Sequence, residues 1–128
     1  MNFNFDWNCV SSGAPYVTIS TLGISFNTPS ITLLGSPEDV IIGFDENQMI
    51  IGIKDARNMP GTKSYKFISR IRSGWIKIGC KDFIKYLSSV SKINFAPAKK
   101  YVAQFDKNEN LLYIVIKTKE EQDNDKEK

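Results

Sequence analysis

Strand, short helix, hairpin: this order occurs twice along the 128 residues, and a repeat of that kind narrows the fold before any single motif does. In the first copy, Ile24-Ser25-Phe26-Asn27 alternates as a strand. The stretch from Thr28 to Gly35 then reads as one short helix, with Thr28 as its cap, Pro29 at its first position and Gly35 ending it left-handed. Val40–Phe44 and Met49–Ile53 are two strands around the turn Asp45-Glu46-Asn47-Gln48. The second copy replays this as the strand Trp75–Ile78, a helix over Gly79–Leu87, and a hairpin of Tyr101–Phe105 with Leu111–Ile116. Phe44-Asp45 matches Phe105-Asp106, and Ile53-Lys54 matches Ile116-Lys117. Extra residues, Asn94-Phe95-Ala96-Pro97 among them, lengthen the second copy.

One such unit cannot bury its own apolar face, whereas two folded together can. The expected fold is therefore mostly β, of the α+β class, with two tandem repeats closing into a pseudo-twofold β-barrel. The layout divides into an N-terminal arm (1–16), an acidic repeat 1 (17–58), a basic repeat 2 (59–119) and a disordered acidic tail (120–128), both repeats belonging to one domain. Tyr16–Ser20 reads as a further strand ahead of the first copy, and Phe67–Ile71 as its counterpart. A linker around residues 55–64 contains the turn Met59-Pro60-Gly61.

Charge separates the halves more sharply than the net value of +3 suggests. Residues 1–58 carry −4, residues 59–119 carry +10, and the tail carries −3. Between Lys63 and Lys100 ten basic residues meet one acid, Asp82. Such a block suits a polyanionic partner, although a solvated lysine-rich face would look the same.

Histidine is absent, which removes the usual general base, the commonest metal ligand and every Ser-His or Cys-His pair. Cys9 and Cys80 cannot complete a structural zinc site alone, and free thiols are expected over a disulfide. No phosphate-binding glycine loop occurs. The expectation is a binding protein, not an enzyme, with no cofactor and no metal. No apolar run approaches the roughly 18 residues that cross a bilayer, and Met1–Val10 has neither a basic nor an apolar leader region, so a cytoplasmic location is expected.

The first copy resembles the AbrB/MazE-like swapped-hairpin family. The resemblance rests on Leu22-Gly23-Ile24-Ser25-Phe26-Asn27, Leu33-Leu34-Gly35, Glu38-Asp39-Val40 and Met49-Ile50-Ile51-Gly52-Ile53-Lys54, in that order and spacing. It covers residues 17–54 well and 67–117 more loosely. It implies two halves interlocked as one swapped-hairpin barrel that binds DNA and regulates transcription; tandem two-copy members of the family exist. The family's DNA-contacting arginines lie around the first strand–loop–strand, where this chain has Thr18, Ser20, Thr21 and Ser25. Only the second copy supplies cations there, and symmetric operator binding would then require a homodimer.

The candidate nucleic-acid-binding residues are Arg70, Arg72, Trp75, Lys77, Lys81 and Lys85. Alternation predicts Arg70, Arg72 and Lys77 on exposed strand faces, with Ile71, Ile76 and Ile78 facing inward. Lys81 and Lys85 share one face of the second helix. Spaced cations of this kind contact phosphates, on duplex or single-stranded DNA, and arginine also reads guanine edges. Trp75 has two readings, a stacking platform for a base or a core aromatic, the core role being the commoner one. Lys63, Lys66, Lys99 and Lys100 are peripheral. Cys80, near a helix start and two lysines, is either a reactive thiol or, preferably, a packing thiol. Glu38, Asp39, Asp45 and Glu46 read as a solvated turn sooner than as a cation site. The competing functional expectation is a protein–protein interaction module of a phage or mobile element, antitoxin-like or accessory. It would use the acidic first repeat or the aromatic arm of Phe3, Phe5 and Trp7.

Overall fold

Alternation of apolar and small polar residues shapes the first two strands, β1 (Tyr16–Ile19) and β2 (Gly23–Phe26). They pair antiparallel, with Val17 opposite Phe26 and Ile19 opposite Ile24, so one face is wholly apolar. The computed structural model describes residues 14–116 apart from 58 and 60. Helix α1 (Thr28–Leu34) follows, then strands β3 (Asp39–Asp45), β4 (Ile50–Asp55), β5 (Tyr65–Lys66) and β6 (Ile76–Gly79). Helix α2 (Lys81–Ser91) and strands β7 (Lys99–Val102), β8 (Gln104–Asp106) and β9 (Leu111–Val115) complete the described chain. The arm with Phe3, Phe5, Trp7 and Cys9, and the acidic tail, lie outside these residues.

The strands form two antiparallel sheets, one in the order β6-β2-β1-β7 and one in the order β5-β3-β4-β9-β8. The fold is mostly β with two helices, an α+β arrangement as the sequence suggests. Neither half of the chain keeps a sheet to itself. Strands β6 and β7 flank the β1–β2 hairpin, and β9 extends the β3–β4 hairpin. Core residues come from both sheets: Val17, Ile19, Ile24, Phe26, Ile76 and Ile78 from the first, and Val40, Ile51, Ile53, Leu112 and Ile114 from the second. Ile31 and Leu34 of α1 and Ile84 and Leu87 of α2 cover the same core. Each fully buried side chain of this size contributes about 1.5–3 kcal/mol.

Several local expectations change. Asn27, not Thr28, caps α1: its Oδ1 accepts from the Ser30 amide at 3.2 Å and from the Tyr16 amide at 2.9 Å. Gly35 does end α1 in the left-handed conformation, at φ 81°. Phe67–Ile71 is not a strand. Phe67 is buried edge-on against Phe26, 5.1 Å between ring centroids, and the chain then turns through a single 3₁₀ turn over Ile68–Arg70. Ile71 is consequently exposed and leaves the core. Tyr101–Phe105 is not one strand either. It breaks at buried Ala103, so that β7 pairs with β1 in one sheet while β8 pairs with β9 in the other. A strand that switches sheets in this way makes a corner between them.

Candidate nucleic-acid interface

Because β1, β2 and β6 turn Val17, Ile19, Ile24, Phe26, Ile76 and Ile78 inward, the residues between them face outward. The register sets four of these in one row across the sheet. Lys77 stands opposite Ser25, Ser25 opposite Thr18, and Thr18 opposite Lys100. Strand spacing puts the two lysine Cα atoms roughly 14 Å apart, with only hydroxyl side chains between them. A groove of about 440 Å³ runs over this outer face. Thr18, Ser20 and Ser25 lie along it, with Leu22, Trp75, Lys77 and Ala98 around them.

Glycine permits the close pairing of β2 with β6. A Cβ on Gly23 would collide with the carbonyl of Ile78. Trp75 is held by a tight turn in which the Arg72 amide donates to the Trp75 carbonyl at 2.8 Å and the Trp75 amide returns a bond to Arg72 at 3.0 Å. Ser73 and Gly74 both have positive φ, 53° and 81°, the backbone signature of a two-residue hairpin turn. Thr28 of α1 braces that turn by donating to the Gly74 carbonyl. The indole is 45% exposed and belongs to the surface, not to the core.

Of the six candidate residues, Trp75 and Lys77 line the groove, and Arg72 lies at the base of the turn that carries Trp75. The Arg72 guanidinium donates to the Ile71 carbonyl at 2.8 Å. Arg70 sits in the 3₁₀ turn, exposed, and not on an alternating strand as its neighbours suggest. Lys81 and Lys85 are exposed one turn apart on α2. None of these three lines the groove. The structure adds to this face Lys100, which the sequence reads only as peripheral, the hydroxyls of the floor, and Tyr16, whose ring lies 4.2 Å from the Lys100 ammonium. Their signal in the sequence is the small-polar alternation of Thr18, Ser20 and Ser25; the pairing of β1 with β7 has none.

Among the described residues no carboxylate pairs with the lysines of this face. The ion pairs among the described residues are Arg57 with Asp55 at 2.9 Å and Lys66 with Asp39 at 3.6 Å. Arg70, Arg72, Lys77, Lys81, Lys85, Lys92, Lys99 and Lys100 take no part in either. Two larger depressions, about 520 and 640 Å³, share Asp55, Arg57 and Met59. Both mix acidic with basic side chains, whereas the outer-face groove meets lysine alone.

Cys80, Asp45 and the Glu46–Tyr86 pair are engaged in structure. Cys80 is a free, buried thiol, and burial, its main influence, pushes its pKa up to about 11. A thiol so disposed is a poor nucleophile at neutral pH. Asp45 accepts from the Gln48 side chain at 2.9 Å and from the Gln48 and Asn47 amides, which holds its carboxyl below the usual range. Glu46 accepts from the Tyr86 hydroxyl at 2.6 Å, and that bond raises the phenol's pKa. Compared with family models, with curated proteins and with solved structures, the chain matches none. No helix among the described residues is long and apolar enough to cross a membrane.

Proposed function

We propose that this chain is a small nucleic-acid-binding protein, a cytoplasmic DNA-binding regulator that works through its basic second half. One observation carries the reading. Eight cations from residues 70–100 are free of carboxylate partners among the described residues; Lys77 lines a hydroxyl-floored groove beside an exposed tryptophan, and Lys100 ends the same cross-sheet row. Unpaired cations at fixed spacing are what a phosphate backbone requires. The swapped-hairpin reading is part of the same proposal. In its favour, the strands preceding the two helices, β2 and β6, pair with each other antiparallel, Ile24 opposite Ile78, as a pseudo-twofold arrangement of repeats demands.

The test is fluorescence anisotropy with a mixed duplex of roughly 30 base pairs and with its single strand, at two salt concentrations. Affinity should fall steeply with salt, since each neutralised phosphate releases counterions. Absent or salt-insensitive binding overturns the proposal. The protein-partner reading would then take precedence, favoured by Leu22 and Val102, large apolar side chains that are 61% and 60% exposed. Arg70→Ala with Arg72→Ala separates the two, because it weakens binding to nucleic acid and leaves a protein partner set unchanged.

A further inference from the structure

We infer that the outer-face groove of the β6-β2-β1-β7 sheet takes an unpaired DNA strand, with a base on Trp75 and phosphates at Lys77 and Lys100. This rests on the nucleic-acid reading above and adds which form of nucleic acid the site selects.

Three features carry it. The first is charge: Lys77 lines the groove, Lys100 ends the same cross-sheet row, and among the described residues no acidic side chain lines the groove. A polyanion therefore meets cations at both ends of the row, with the Thr18 and Ser25 hydroxyls, which have no hydrogen-bond partner among the described residues, between them. The second is Trp75. Its indole is exposed at the groove edge, and only an unstacked base can lie on it. Bases inside a duplex already have both faces covered by their neighbours. The third is shape. A groove of about 440 Å³ over a sheet floor of small side chains admits a flattened strand. Leu22, Trp75 and Ala98 make its walls mainly apolar, which suits the faces of unstacked bases.

The experiment uses the full chain and a labelled mixed-sequence DNA of about 15 nucleotides, as single strand, as duplex and as the RNA counterpart. Variants are Trp75→Ala, Trp75→Phe, and Lys77→Ala with Lys100→Ala, each checked by circular dichroism and thermal unfolding. The single strand should bind more tightly than the duplex or the RNA. Trp75→Ala should weaken single-strand binding by about 5- to 150-fold, with most of the loss recovered in Trp75→Phe. The double lysine variant, which alters exposed side chains only, should weaken it and flatten its salt dependence. Duplex preference, or single-strand affinity unchanged in Trp75→Ala, overturns the inference and leaves the broader nucleic-acid reading standing. Tighter binding to RNA overturns the choice of DNA. No binding of any strand removes the broader reading, and this one with it.

Discussion

Thr28 Oγ1 donates to the carbonyl of Gly74 at 2.7 Å, joining the first turn of α1 to the hairpin turn that presents Trp75. The two residues belong to different halves of the chain, so the bond ties the turn that carries Trp75 to the first half's helix. Gly74 also needs to be glycine, since its φ is 81° and a Cβ there would lie 2.8 Å from the same hydroxyl.

Replacing Thr28 with valine removes the donor and leaves the shape. The Gly74 carbonyl can turn to water, so the expected loss is modest, about 0.5–1 kcal/mol in urea unfolding. Thr28→Ser should restore most of it. With Trp7→Phe as the background, Trp75 fluorescence anisotropy should fall in Thr28→Val, because the turn is less firmly held. Unchanged anisotropy would show that the strand pairing alone fixes the turn.

Gly23 and Gly43 give a paired test of the sheet. At Gly23 an added Cβ meets the Ile78 backbone carbonyl, which has no side-chain freedom to retreat. Gly23→Ala should therefore destabilise by about 3 kcal/mol, the upper range for overpacking, and part β2 from β6. At Gly43 an added Cβ has open space and an ordinary backbone angle. Gly43→Ala should be neutral or stabilise by about 0.4–1 kcal/mol through the unfolded chain. Chemical unfolding of the two variants decides the point.

How far the sequence carries depends on the range of the interaction. The β3–β4 hairpin, the α1 end at Gly35 and the inward set of β2 follow from neighbours a few residues apart, and they are legible. Phe67–Ile71 alternates well enough to suggest a strand. What decides it instead is Phe26, distant in the chain, which claims the Phe67 ring and leaves the backbone to turn. Ala103 carries no local breaker, yet the chain changes sheets there, because β1 and β9 offer the better partners on either side. The site divides in the same way. Trp75 and Lys77 are two residues apart, just before and within β6, and can be placed together from sequence, whereas Lys100 joins them only through the β1–β7 register.

The 3₁₀ turn after Phe67 predicts opposite fates for two apolar neighbours. Phe67 is fully buried, and Phe67→Ala should cost about 3–5 kcal/mol. Ile71, 39% exposed, would be a core residue were the segment an inward-alternating strand. Ile71→Ala should instead stay within about 0.5 kcal/mol of the parent protein. A large loss at Ile71 would restore the strand.

Cys80 should make stability fall at high pH. Its thiol pKa is raised from 9.0 to about 11, chiefly because burial disfavours the thiolate. The unfolded chain therefore loses this proton at lower pH than the folded one, and between those values the folded state binds more protons. Stability from this group is complete below pH 9 and declines as pH rises towards 11. The size of the effect is at most about 3 kcal/mol. Lysines and tyrosines titrate in the same window, so the comparison is with Cys80→Ala, which lacks this group alone. The stability advantage of the parent over Cys80→Ala should shrink between pH 9 and 11. With Cys9→Ser as the background, a thiol reagent at pH 8 should modify Cys80 only as fast as the protein opens, since both burial and the raised pKa keep the thiolate scarce. Fast labelling of the folded protein would place Cys80 at the surface and remove it from the junction of β6 and α2.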